Sequence, residues 1–279
     1  VPFPDSQLVA ILGAFEALYK PLQWRERDSS RSFIRIGIHA EENQSDDFEK
    51  VVRNAIALEK ARVCARDIGG GDPERMAPQK ILEYVKNTFE GDSNITINVI
   101  DDDLVIGRDY PLLAAVSRAS VPLRHRPRVV EIEYKPSDIA RVTETLFLIG
   151  KGVTYDTGGA DIKISGRMAG MSRDKCGAAA VAGFLKACSI LKPPHLKVTG
   201  VLCLCRNSVG SDSYVSDELL LSKSGKTVRV TNTDAEGRLA MADALFKAAE
   251  TASNELNPHL YTIATLTGHA RACYGDYVA

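Results

Sequence analysis

Short apolar runs bounded by turn residues alternate along the chain with longer segments of helical spacing. The short runs predict strands at 95–100, 129–135, 145–150, 196–205, 227–231 and 259–266. The longer segments predict helices at 78–89, 111–119, 175–191 and 236–254. This alternation predicts an α/β fold, with a mostly parallel mixed sheet and helices on both of its faces.

The first 68 residues have a different organisation. The pattern predicts a helix at 6–19, a strand at 32–39 and an acidic connector at 41–47. Residues 1–46 are too few for an independent domain, so we expect them to be the remnant of a smaller N-terminal α/β domain. An alanine-rich segment within 47–68 predicts a connecting helix that stops at the glycine run 69–71. Residues 69–279 then form the main domain. Because the chain starts with Val1 and Pro2, we expect it to begin inside a longer one.

Composition narrows the function classes. The chain has 279 residues, of which 44% are hydrophobic and 25% are charged, as in a globular protein. A net charge of −1 gives no general attraction to nucleic acid or to an anionic membrane, and no apolar run is long enough for a membrane span. The six cysteines lack zinc-finger spacing, and buried reduced thiols are typical of a reducing compartment such as the cytoplasm. The five histidines are scattered, so they predict no metal site.

Carboxylates cluster after the apolar runs. Residues 232–239 read Asn-Thr-Asp-Ala-Glu-Gly-Arg-Leu, between a predicted buried strand and a helix, and so carry Asp234 and Glu236. Asp156 follows the predicted strand 145–150, and Asp174 opens the helix 175–191. In a parallel sheet the carboxyl ends of the strands share one edge, so these four acids can converge. The alternative is a capped helix start with acids on the surface.

Four converging carboxylates would repel one another, and divalent cations are the simplest way to hold them together. Carboxylate oxygens suit Zn²⁺, Mn²⁺ or Mg²⁺, and bridging carboxylates favour two metals about 3.5 Å apart. Lys151 ends an apolar strand, and near a metal its neutral amine could be a ligand. Lys163 could instead stay charged and polarise a carbonyl. Arg238 offers a planar fork for a carboxylate-like anion or an oxyanion.

Two segments together resemble the cytosolic leucyl aminopeptidases. The first contains Gly150, Lys151, Gly152, Asp156, Gly158 and Gly159. The second is the octapeptide 232–239, which meets all eight positions of that family's signature. The resemblance runs from about residue 47 to the end of the chain, and within the family it is closest to the probable aminopeptidase-like branch of animals.

The resemblance implies a metal-dependent exopeptidase, a hydrolase that releases the N-terminal amino acid of a peptide through a water activated by two metals. The implied metal ligands are Lys151, Asp156, Asp174, Asp234 and Glu236, with Asp156 and Glu236 bridging. The implied catalytic pair is Lys163, which would stabilise the oxyanion, and Arg238, which would hold bicarbonate as the general base. Met171, Leu266, Thr267 and Gly268 match positions that line the substrate site. The family also implies peptide substrates with a free N-terminus, a homo-hexamer, and a catalytic domain that continues past Ala279.

Departures from the family pattern leave the preferred side chain of the substrate open. Tyr155 and Thr157 flank the bridging aspartate where Phe and Ser are usual, and Lys175 and Cys176 follow Asp174 where smaller residues are usual. Two other functions remain to be weighed. A non-catalytic hexameric scaffold or binding protein would be favoured by a broken ligand set, whereas every ligand position is present. A different two-metal hydrolase is disfavoured by lysine as a ligand.

Overall fold

A five-stranded mixed sheet lies at the centre of the structure, a computed structural model that describes residues 5–28, 35–37 and 45–276. The strands in chain order are β1 (Ile95–Ile100), β2 (Arg128–Tyr134), β3 (Glu144–Asp156), β4 (Leu196–Asn207), β5 (Leu219–Leu221), β6 (Thr227–Arg229) and β7 (Pro258–Ile263). The sheet has the order β1-β2-β4-β3-β7. β3 pairs in parallel with β4 and β7, whereas β2 is antiparallel to both β1 and β4. Only β2 therefore runs against the other four, which confirms the predicted mostly parallel mixed sheet.

Helices cover both faces of this sheet. They are α1 (Ser6–Leu18), α2 (Leu22–Arg27), α3 (Ser45–Gly70), α4 (Pro78–Thr88), α5 (Asp103–Asp109), α6 (Pro111–Ser117), α7 (Cys176–Leu191), α8 (Glu236–Ala252) and α9 (His269–Tyr274). α3, α4 and α7 pack on one face, and α5, α6 and α8 pack on the other. In the described part of the chain no helix is long and apolar enough to cross a membrane.

The central strands are buried on both faces, as expected for parallel strands between two helical layers. Leu148 of β3 and Leu202 of β4 belong to the core beneath α3 and α7. Their neighbours Ile149 and Val201 belong to the core beneath α8. Because successive side chains of a strand point to opposite faces, one apolar run supplies both cores.

Small residues let α7 approach the sheet closely at the edge where β3 and β7 end. A Cβ atom added to Gly177 would lie 2.0 Å from the carbonyl oxygen of Ile263 and 2.9 Å from the backbone nitrogen of Lys151. Both contacts are far shorter than a carbon atom tolerates. Glycine at this position therefore sets how closely the start of α7 sits against the strands.

Part of the predicted element list needs correction. The predicted buried strand 227–231 is shorter, and it pairs with β5 in a separate two-stranded antiparallel sheet. Thr227 and Arg229 are exposed in it, and burial begins only at Val230. Val228 and Val230 alternate with polar residues between turn residues, and this pattern predicts a strand equally well in a hairpin and in the core. The short helices α2, α5 and α9 and the strand β5 were not predicted.

The N-terminal segment packs on α3. The carboxylate of the buried Asp67 accepts hydrogen bonds from the hydroxyl groups of Tyr19 (2.9 Å) and Tyr84 (2.8 Å) and pairs with Arg25. α1 confirms the helix expected at 6–19. The strand expected at 32–39 lies mostly outside the described residues, and residues 35–37 form no regular secondary structure. The division of the chain at residues 46 and 68 stays a prediction.

Candidate functional site

Three buried carboxylates meet at the edge of the sheet where the parallel strands end. Asp156 is the last residue of β3, Asp174 lies between the 3₁₀ turn Met171–Arg173 and α7, and Glu236 is the first residue of α8. One oxygen of each lies within 4.8 Å of the others. β3 runs six residues beyond the predicted strand end at 150, and this extension carries Asp156 to the site.

Asp234 lies at the outer side of this cluster. Its side chain is 35% exposed and contacts the ammonium group of Lys163, which also lies 2.8 Å from Oδ2 of Asp156. Asp234 reaches the site from the loop between β6 and α8, and not from a strand of the main sheet. It is therefore joined to Asp156, one of the three buried acids, through Lys163.

Lys151 lies between the two other carboxylates. Its Nζ is 2.8 Å from Oδ1 of Asp174 and 2.8 Å from Oε1 of Glu236, and it donates to the carbonyl of Thr265 at 3.1 Å. Burial alone would lower the pKa of Lys151, but Glu236 and Asp174 outweigh burial and raise it. With all groups ionised, the ammonium groups of Lys151 and Lys163 balance only two of the four carboxylates.

Burial together with this excess of negative charge raises the pKa values of Glu236, Asp174 and Asp234. Burial raises the pKa of Glu236 to about 8, since the opposing effect of Lys151 is smaller and Asp156 adds to the rise. Burial likewise raises the pKa of Asp174, partly offset by Lys151, and the pKa of Asp234, partly offset by Lys163. The pKa of Lys163 is raised, because Asp156 and Asp234 outweigh its burial. All of these shifts are those of a site that favours additional positive charge.

Two carboxylate oxygens in the cluster are buried without a hydrogen-bond partner among the described residues. They are Oδ2 of Asp174 and Oε1 of Glu236, the latter close to Lys151 but without hydrogen-bond geometry. Buried polar atoms are normally satisfied, so such atoms call for a cation or another donor. A set of hard carboxylate oxygens with unused lone pairs fits a divalent metal.

The remaining predicted residues lie around this cluster. Arg238, in the first turn of α8, is exposed, and its guanidinium makes no hydrogen bond or ion pair with any described residue. Met171 is partly buried at the start of the 3₁₀ turn that leads to Asp174. Leu266, Thr267 and Gly268 are exposed between β7 and α9.

Several polar residues that were not predicted from the sequence support the cluster. The hydroxyl of Thr265 donates to Oδ1 of Asp174 at 2.8 Å, and this places the start of the 265–268 segment at the site. Asn207, the last residue of β4, donates to Oδ1 of Asp156 at 2.8 Å. A polar residue that ends an apolar strand at the same edge was the available signal for Asn207. Thr265 carried no comparable signal.

The chain is similar in sequence to proteins named aminopeptidases. Residues 63–279 match the sequence profile described as the cytosol aminopeptidase family, catalytic domain. A protein named "putative aminopeptidase" from Caenorhabditis elegans is 45% identical over 99% of this chain and 52% of its own length. A "probable cytosol aminopeptidase" from Metamycoplasma salivarium is 37% identical over 84% of this chain and 44% of its own. The chain spans about half the length of the curated relatives it matches.

Solved structures show the same likeness. The bottromycin maturation enzyme BotP in complex with Mn has a TM-score of 0.81 and 28% identity, covering 96% of this chain and 54% of BotP. A leucyl aminopeptidase from Trypanosoma brucei, in complex with bestatin, has a TM-score of 0.72 and 30% identity. It covers 80% of this chain and 41% of its own.

Proposed function

The chain belongs to the cytosol aminopeptidase family, and from this premise we propose that the intact protein is a metal-dependent exopeptidase. It would release the N-terminal amino acid of peptides with a free amino group. The observation that carries the proposal is the cluster of Asp156, Asp174 and Glu236, which is buried, rich in negative charge and short of hydrogen-bond donors. We propose the cytosol as its compartment, since the relatives are named cytosol aminopeptidases.

Two divalent metal ions, Zn²⁺, Mn²⁺ or Mg²⁺, would be held by five residues of this chain. These are Lys151, Asp156, Asp174, Asp234 and Glu236, of which Lys151 would give up the proton that Asp174 and Glu236 stabilise on it when a metal binds. When bound, such ions lower the pKa of a water molecule and polarise the scissile carbonyl. Oδ2 of Asp174, which has no hydrogen-bond partner among the described residues, supports this assignment, and the BotP structure with Mn supports the choice of a divalent cation.

Lys163 would stabilise the oxyanion that forms when the peptide carbonyl is attacked. Its ammonium group is fixed between Asp156 and Asp234, and its raised pKa keeps it charged at neutral pH. A cation that is already oriented costs no reorganisation as the negative charge develops. Lys163 therefore serves best as a preorganised electrostatic group.

Arg238 would hold a bicarbonate ion beside the carboxylates. Its guanidinium is exposed and makes no hydrogen bond or ion pair with the described residues, so its planar fork is available to an anion. An oxygen of the bound anion could then accept the proton of the attacking water. Met171, Leu266, Thr267 and Gly268 would line the substrate site, and the hydrogen bonds of Thr265 to Asp174 and Lys151 support a place beside it for 266–268.

The test combines metal content with activity. The intact protein should retain divalent metal after purification in Mn²⁺ or Zn²⁺, and it should hydrolyse members of a panel of aminoacyl amides. Treatment with a chelator should abolish hydrolysis, and metal should restore it. A protein that holds less than one ion per chain at saturating metal and cleaves no amide would overturn the proposal.

A further inference from the structure

Two loops carry Lys163 and Asp234 of the candidate site, and they adjoin Asp156 and Glu236. The lysine loop, residues 157–163, follows Asp156 and ends at Lys163. The aspartate loop, residues 230–235, carries Asp234 and leads into Glu236. The two loops are far apart in the chain, so their relative position depends on the contacts between them.

Thr233 of the aspartate loop makes three hydrogen bonds to the lysine loop. Its hydroxyl donates to the carbonyl of Gly158 at 2.6 Å and accepts from the backbone N–H of Asp161 at 2.8 Å. Its own backbone N–H donates to Oδ2 of Asp161 at 2.7 Å. Thr233 is fully buried, so these bonds are shielded from competing water.

The carbonyl of Thr233 is held from another direction. It accepts hydrogen bonds from Nδ2 of Asn207 at 3.0 Å and from the hydroxyl of Tyr214 at 2.6 Å. Every polar group of Thr233 is therefore bonded outside its own loop. The backbone N–H of the next residue, Asp234, bonds only locally, to Oδ1 of Asn232.

Asn207 also orients Asp156. Its Nδ2 donates to Oδ1 of Asp156 at 2.8 Å, and the backbone N–H of Gly158 donates to the same oxygen at 2.9 Å. Both donors lie on one carboxylate oxygen, so Oδ2 is left to face Lys163 at 2.8 Å. The two oxygens of Asp156 thus have separate tasks, one structural and one in the site.

Gly159 shows how tightly this junction is packed. A Cβ atom there would lie 2.8 Å from the hydroxyl of Thr233 and 2.9 Å from Oδ1 of Asn207, and its φ of +69° also favours glycine. The lysine loop therefore passes close against both residues.

We propose that Thr233 and Asn207 are positioning residues, a clasp that fixes the distance between the two loops. The inference rests on the proposed function, since what the clasp positions is the metal-holding set. Asp156 precedes the lysine loop and Lys163 ends it, whereas Asp234 lies in the aspartate loop and Glu236 follows it. Ligands and catalytic groups lose effect when displaced by about 1 Å, so loosening the clasp should weaken metal binding.

The experiment compares Thr233→Val with Thr233→Ser in the intact protein. Valine has the same shape but lacks the hydroxyl, whereas serine keeps the hydroxyl. Thr154→Val is the matched control, because Thr154 is also fully buried and its hydroxyl bonds only to the carbonyl of Cys205, at 3.1 Å. Mn²⁺ affinity by calorimetry, kcat and KM for an aminoacyl amide, and hydrogen exchange of the two loops are measured for each.

We expect Thr233→Val to bind Mn²⁺ about 10–100-fold more weakly, the usual effect of removing a group that orients a ligand. Both loops should then exchange faster together, and Asn207→Leu should behave in the same way. Thr233→Ser should stay near the wild-type affinity. Thr154→Val should lower the melting temperature without changing the affinity for Mn²⁺.

Two outcomes would contradict the proposals in different ways. Equal Mn²⁺ affinity, kcat and KM in wild type and Thr233→Val would overturn the clasp and leave the proposed function standing. A wild-type protein that binds no Mn²⁺ and cleaves no aminoacyl amide would overturn the proposed function, and the positioning role with it.

Discussion

Charge and burial separate the proposed metal ligands of the candidate site from the lysine that would act in catalysis. Glu236 and Asp174 are buried and carry oxygens without hydrogen-bond partners, so their substitution removes what would hold a metal. Lys163 is no proposed metal ligand: it supplies a positive charge beside Asp156 and Asp234, and in the proposed function it stabilises the oxyanion. This difference predicts opposite effects on metal binding.

Glu236→Gln should weaken divalent-metal binding by more than about 100-fold, beyond the usual effect of a supporting residue. Lys163→Met should keep its metal, because removal of the ammonium group leaves the carboxylates more negative. It should lose turnover, because the positive charge that would stabilise the oxyanion is gone. Metal analysis after dialysis and kcat on an aminoacyl amide measure both. If Lys163→Met lost its metal as completely as Glu236→Gln, the division of roles would be wrong.

His125 predicts a pH effect on stability away from the metal cluster. Burial and then the adjacent Arg206 lower the pKa of His125 below its ordinary value of 6.5, although Glu74 opposes the shift and Arg124 adds to it. The unfolded chain therefore takes up this proton at higher pH than the folded chain. Acidification below pH 6.5 should favour unfolding through this group.

His125→Gln cannot titrate, so its stability should fall less steeply than that of the wild type as the pH drops below 6.5. Urea unfolding of both proteins at several pH values measures the difference. Parallel curves over this range would show that His125 is not the group responsible.

At the scale of elements, the site depends on how closely α7 packs against β3 and β7. Gly177→Ala would place a Cβ 2.0 Å from the carbonyl oxygen of Ile263, so the helix or the strand must shift. Overpacking of this kind costs about 1–3 kcal/mol or more of unfolding free energy. Because Asp174 precedes α7 and Lys151 lies on β3, metal binding should weaken as well.

Gly70→Ala is the matched control for Gly177→Ala. Gly70 lies at the end of α3, and an added Cβ meets nothing within 4 Å. Alanine there should be neutral or stabilise by up to about 1 kcal/mol, because it restricts the unfolded chain. Chemical denaturation of both variants measures their unfolding free energies. Equal stability in the two variants would contradict the packing argument.

The sequence pattern predicted the strands of the main sheet and the acids that follow its apolar segments, because both are local features of the chain. The same pattern predicted that the strand 227–231 is buried. The two valines of this segment, Val228 and Val230, do not indicate which strand they pair with. Contacts such as Thr233 with Asp161 and Asn207 with Asp156 join segments far apart in the chain. No local pattern specifies such contacts.

At the scale of the whole molecule, family resemblance predicts a homo-hexamer whose sites face an enclosed interior. Light scattering of the intact protein should therefore give a mass about six times that of one chain. A stable monomer at micromolar concentration would contradict this expectation. The preferred N-terminal residue, by contrast, is best found with the amide panel, since Met171 and Leu266 do not by themselves define the shape of a pocket.

As an exopeptidase of the proposed kind, the intact protein would require a free amino terminus on its substrate. Lys151 puts a side-chain amine among the proposed ligands in place of another carboxylate, so the metals would retain charge for the substrate's own amine. The most direct measurement compares hydrolysis of an aminoacyl amide with that of its N-acetyl form, at equal concentration and with metal present. Blocking the amine should lower kcat/KM by at least about 100-fold, since both a ligand and its binding energy are lost. Equal rates for the two compounds would contradict the aminopeptidase account and indicate a general amidase.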